Sequence, residues 1–156
     1  MTIAANKPAL LHKALIAQGF NMVKSGVVVS GHDVSGILAA TLNRWGGGQG
    51  NLTLGFIIHE LVENDAFPTE THKCHVYGSN TTIFPEFDEF TCLLSSGELQ
   101  DNWKRIAARA DEIASAIRSA LNADTLARMY FEGRFGRCMI LKGARSLMES
   151  IKRPAP

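Results

Sequence analysis

The sequence predicts an α-rich α+β fold, on three observations. Leu99, Trp103, Ile106, Ala110, Ile113, Ile117 and Leu121 recur three and four residues apart, one apolar stripe down one face of a helix. Shorter stretches near both ends of the chain repeat that spacing. Between residues 72 and 94 it gives way to strand-like segments interrupted by Gly78-Ser79-Asn80 and by Pro85.

With 156 residues, 46% hydrophobic and 20% charged, the chain can build a core without metals or disulfides. A net charge of +1 carries no overall signal for nucleic acid or membrane. The charge is unevenly spread. Residues 1–97 hold 5 Lys/Arg and 8 Asp/Glu, a net of −3, while residues 98–156 hold 11 and 7, a net of +4. Cys74, Cys92 and Cys138 are odd in number and show no CxxC spacing. No basic stretch leads into an apolar core at the N-terminus. No apolar run approaches the roughly 20 residues of a membrane span, so a cytoplasmic protein with reduced thiols is expected.

In order, residues 1–5 read as a loose end. Asn6 can cap a first helix with Pro8 in its first turn, where the missing N–H costs nothing. Leu11, Ala14, Leu15 and Met22 mark one face of that helix, Ile16 and Phe20 the other, and Gly26 ends it. Val27-Val28-Val29 is a β-branched run and predicts a short strand. Ser30 and Asp33 have capping-box spacing for a second helix along Val34, Ile37, Leu38, Leu42 and Trp45, which stops at the glycines of residues 46–50. A third helix, about residues 53–64, turns Leu54, Ile57, Ile58, Leu61 and Val62 inward.

Residues 73–77 and 81–84 read as the arms of a hairpin, and residues 89–94 as a third strand. Ser95 and Glu98 then form a capping box for the long helix to Leu121, with Asp101 and Arg105 paired on its wet face. Asp124 caps a shorter helix to about residue 131. A last helix, about residues 137–152, turns Ile140, Ala144, Leu147 and Ile151 inward.

Helix, short strand, helix, helix and hairpin is the element order of a winged helix-turn-helix, and residues 7–95 resemble that fold in pattern. Residues 59–67 resemble the end of a recognition helix running into the wing. The chain thus divides into a winged-helix-like part with its hairpin, residues 1–97, and a C-terminal helical layer, residues 98–156. That layer packs on the first part or forms a homodimer seam through residues 99–121.

A recognition helix offers side chains to base edges near its N-terminus and cations to the flanking phosphates. Asn51 and Thr53 hold the first position and Arg44 the second. Glu60, Glu63 and Asp65 on or just after that helix repel phosphate. Arg134, Arg137, Lys142, Arg145 and Lys152 fall within about 140° of one another if residues 134–152 are one helix. Tyr130, Phe131 and Phe135 precede them, and cations beside aromatics suit a nucleic-acid backbone or an acidic partner.

The glycines of residues 46–50 match neither GxxxxGK[ST] nor GxGxxG and read as a connector. His72-Lys73-Cys74-His75 is the densest ligand cluster. A strand puts His72 and Cys74 on one face and His75 on the other, so a zinc site needs His59 to complete it. There is no GxSxG, and no Ser or Cys stands in an activating context. No cofactor or metal is expected, and nothing points to an enzyme. Two functions fit: a small nucleic-acid-binding regulator, acting on DNA as a homodimer, or a protein-interaction module such as an adaptor, inhibitor or immunity-type protein.

Overall fold

The computed structural model describes residues 7–42, 50–95 and 102–151. Expectations resting on Asn6, Arg44, Trp45, the glycines at 46–48, Glu98, Leu99, Asp101 and Lys152 lie outside the described residues.

A first helix, α1 (Ala9–Ala17), leads into four consecutive strands: β1 (Asn21–Val23), β2 (Gly26–Ser30), β3 (Val34–Leu42) and β4 (Gly50–Ile58). After a connection with two short 3-10 turns come β5 (Val76–Ser79), α2 (Asn80–Ile83), α3 (Glu89–Ser95), α4 (Asn102–Ala107), α5 (Ala110–Ser119) and α6 (Ala123–Phe131). The two-residue β6 (Met139–Ile140) and α7 (Lys142–Ser150) follow. The fold is α+β: one antiparallel sheet in the order β1-β2-β3-β4-β5-β6, with the helices on one face.

α1 stops earlier than its spacing suggests. Gly19, not Gly26, ends it, at φ +95°, with Gly19 N–H donating to Ile16 O and Phe20 N–H to Leu15 O. That closure needs the left-handed backbone that glycine adopts freely. It seats Phe20 in the core, leaves Ile16 40% exposed and starts β1 at once.

The second and third predicted helices are strands, which replaces the winged-helix order. β3 and β4 pair over nine residues, from Val34↔Ile58 to Leu42↔Gly50. β3 is buried on both faces from Val34 to Ala40, so it lacks the polar alternation that marks a half-exposed strand. Its Val34, Leu38 and Ala40 face the helices, while Ile37 faces away. In β4 the alternation is present: Leu52, Leu54, Phe56 and Ile58 join the helix-side core, and Ile57 the opposite cluster. Ile57 and Ile58, three and four residues after Leu54, imitate helical i, i+3 and i, i+4 steps, and a 3-10 turn at His59–Leu61 prolongs the imitation.

Further corrections follow the same physics. The second arm of the predicted hairpin is α2, and the predicted strand over 89–94 is α3, with Phe90 and Leu94 on its buried face. The long helix is broken: Arg109 sits between α4 and α5 at φ −105°, ψ 22°. Its guanidinium lies 5.2 Å from both the Phe87 and Phe90 rings and pairs with Glu89 and Glu112. α6 is capped by Asn122, whose Oδ1 accepts from Thr125 N–H at 2.8 Å, rather than by Asp124. The last helix begins at Lys142, because residues 139–140 pair with β5.

The stripe from Trp103 to Leu121 is consumed within the chain. Ile106, Ile113 and Ile117 are fully buried, and α4 and α5 pack on α1. Each such side chain contributes about 1.5–3 kcal/mol when buried. The core joins residues from Leu11 to Met148. No described helix is long and apolar enough to cross a membrane.

On the opposite face of the sheet, among the described residues, Ile37, Ile57 and Cys74 form a small buried apolar cluster with Val23, Val28, Val62 and Tyr77 at its margin, and Ala39 is buried on the same face of β3. The β4–β5 connection crosses it. A Cβ at Gly55 would lie 2.6 Å from Cys74 Sγ and 3.0 Å from Thr71 O, so this close approach requires glycine.

Candidate functional site

The sheet order gathers some predicted site residues and scatters the rest. Asn51 and Thr53 lie on a strand, not at a helix N-terminus. Thr53 Oγ1 donates to Ala39 O at 3.4 Å and lies 3.2 Å from Thr71 Oγ1. β4 starts before its first β5 partner, Ser79 opposite Thr53, and Arg137 precedes Met139, which pairs with Tyr77. Asn51, Thr53, Tyr77, Thr81, Arg137 and Met139 therefore line one open cleft of about 500 Å³ at the end of the sheet. No carboxylate lines it among the described residues, and Arg137 makes no ion pair or hydrogen bond there.

The other predicted cations go elsewhere. Arg134 pairs with Glu132 at 3.1 Å and lines a separate cleft with Arg128. Arg145 donates to Tyr130 Oη at 3.2 Å and sits over that ring, and Tyr130 O–H donates in turn to Glu149 Oε1 at 2.7 Å. Lys142, the first residue of α7, is exposed and has no partner among the described residues. The single basic helix face over 134–152 is thus replaced by separate sites, with Arg137 and Lys142 at the two ends of β6.

β6 is an edge of the sheet. Leu141 N–H donates inward to His75 O at 2.9 Å, so the alternation of a strand turns the N–H and C=O of Ile140 outward. Met139 is 59% exposed and Leu141 47%, so two of the six large exposed apolar side chains among the described residues flank this one residue. The helical reading of residues 137–152 concealed this, because it turned Ile140 inward and made an exposed Leu141 unremarkable.

The histidines and cysteines have separate partners. Cys74 Sγ lies 3.5 Å from Glu70 O, and burial pushes its thiol up to about 12. His72 Nε2 lies 3.0 Å from Glu70 Oε2, and His75 Nδ1 accepts from Ile58 N–H at 2.9 Å. No group of three or more His, Cys, Asp or Glu side chains converges among the described residues. Burial also raises the Cys138 thiol to about 11, far from a reactive thiolate.

One polar chain was missed in the sequence. His59 Nε2 lies 2.7 Å from Ser35 Oγ, which lies 2.9 Å from Ser30 Oγ. The distances suit a nucleophile and its base, but Ser35 is 1% exposed and the His59 ring is backed edge-on by Phe67 at 5.5 Å. The chain ties the crossing connection to β2 and β3. Nothing local in the sequence links positions 24 residues apart; only the β3–β4 register does so.

The chain matches no protein-family model, no curated protein and no solved structure.

Proposed function

We infer that this chain is a protein-interaction module of the adaptor, inhibitor or immunity type, with its contact surface at the β6 edge and the adjoining cleft. One observation carries the reading. The edge strand presents the outward backbone groups of Ile140 between exposed Met139 and Leu141. An uncovered edge flanked by apolar side chains is the surface on which an extended partner adds a strand.

The second reading is a nucleic-acid-binding regulator acting as a homodimer. Asn51, Thr53 and Arg137 favour it, since they share one cleft. Two measurements separate the readings. A photo-crosslinking residue at Met139 should capture a protein partner that the same residue at Met22, on the opposite edge strand, does not. Fluorescence anisotropy with random duplex DNA at low and moderate salt should show no binding. Steeply salt-dependent binding without a crosslink at Met139 overturns the interaction reading in favour of nucleic acid.

A further inference from the structure

We propose that the β6 edge takes an extended peptide segment with an acidic residue at each end of a short apolar stretch; this rests on the interaction reading above. Arg137, in the turn before β6, and Lys142, at the start of α7, stand on either side of this two-residue strand. Among the described residues neither has an ion-pair partner, and no carboxylate lines the cleft that Arg137 borders. Between them stand Met139 and Leu141, with the outward backbone groups of Ile140 in the middle.

Charge selects the occupant. A second copy paired antiparallel about Ile140, the register its outward groups allow, would gather two Arg137 and two Lys142 around one short ladder, four cations with no counter-charge among the described residues. An acidic segment in the same place sets a carboxylate against each cation, and its apolar side chains meet Met139 and Leu141. The geometry also asks for an extended backbone, because only a strand meets the hydrogen-bonding groups of an edge.

The test is a titration of the full chain, followed by backbone amide NMR, with a capped hexapeptide Glu-Val-Thr-Val-Thr-Glu. Its controls are the same peptide with both Glu replaced by Gln, the Glu peptide with its central amides N-methylated, and an eight-residue oligothymidylate. The Glu peptide should shift the Ile140 and Met139 amides and bind about tenfold more tightly than the Gln peptide, as expected of a charge-assisted contact. That difference should vanish in Arg137→Gln/Lys142→Gln, whose substitutions are at exposed positions, and N-methylation should abolish the shifts. Equal binding of Glu and Gln peptides at β6 overturns the acidic specificity and leaves the interaction reading standing. Shifts with oligothymidylate alone overturn both in favour of nucleic acid. No shift at β6 with either peptide overturns the inference, while the crosslink at Met139 decides the interaction reading separately.

Discussion

The two faces of the sheet are held by different forces. On the helix side, Leu52, Leu54, Phe56 and Ile58 of β4 meet α1 and α3–α7 in one continuous apolar core. On the other side Ile37 and Ile57 lie under a single connection, residues 59–75, which adds Cys74 to a small cluster. That connection is tied by short polar contacts: Ser35 to His59, Thr53 to Thr71, and Lys24 to Glu70 at 2.9 Å. Apolar burial is non-directional and accumulates with area, whereas each of these contacts yields little net free energy. The helix side therefore sets global stability, and the crossing connection is the part that opens first.

Phe56 and Ile57 give the sharpest comparison, being neighbours on β4 with opposite faces. Phe56 is fully buried, 6.1 Å from Phe135 between ring centroids. Phe56→Ala should cost about 3–5 kcal/mol, because the helices around the cavity cannot all close on it. Ile57→Ala should cost about 2 kcal/mol, the low end for its type, because the crossing segment can settle into the space. Urea unfolding of both variants measures this. Equal losses would mean that the connection is as rigid as the helix layer.

The same comparison explains what was legible in the sequence. Val27-Val28-Val29 was readable as a strand because β-branching is a local signal. The stripe from Trp103 to Leu121 was readable because α4 and α5 each bury one face, although the break at Arg109 depends on Glu89, Phe87 and Phe90, which are distant in sequence. β3 reads as a helix because both sheet faces are covered, so its apolar residues fall in a run from which a helical subset can be picked, and β4 because Leu54, Ile57 and Ile58 fall at helical spacing. Of the site, Arg137, Lys142, Asn51 and Thr53 stood out as residue types. Their grouping was not legible, since it follows from β4, β5 and β6 lying side by side, a non-local fact.

Two histidines extend the comparison to pH. His12 Nε2 accepts from Ala40 N–H at 3.0 Å, where β3 runs past its last β2 partner, and His75 Nδ1 accepts from Ile58 N–H. Burial holds both imidazoles below their ordinary value of 6.5. A depressed folded value means the unfolded chain binds the proton first. Each contribution is therefore complete above pH 6.5 and is lost as pH falls through the folded value. Protonation also sets a donor against a donor, and each lost hydrogen bond costs about 1 kcal/mol. Tm should fall between pH 7.5 and 5, and His12→Gln should flatten that fall. His75→Gln should act first on amide exchange in residues 59–75. A Tm flat across this range would show that neither imidazole bond matters.

The smallest effect tests the crossing connection alone. The Lys24 hydrogen bond, followed by the charges of Lys24, Lys73 and His72, holds the Glu70 carboxyl below its ordinary 4.5. That linkage is present above pH 4.5 and is lost as pH falls through the depressed value. Glu70→Gln keeps the side chain's size and removes the charge that Lys24, His72 and Lys73 share. Ion pairs at the surface are screened by water and salt, so the global Tm should stay unchanged within error. Amide exchange in residues 69–74 should quicken, and 0.5 M NaCl should bring the parent chain to the same rate. A Tm loss as large as that of Ile57→Ala would reverse the ranking: the connection would then be part of the cooperative core, and the polar contacts beneath it would hold the sheet as firmly as the helices do.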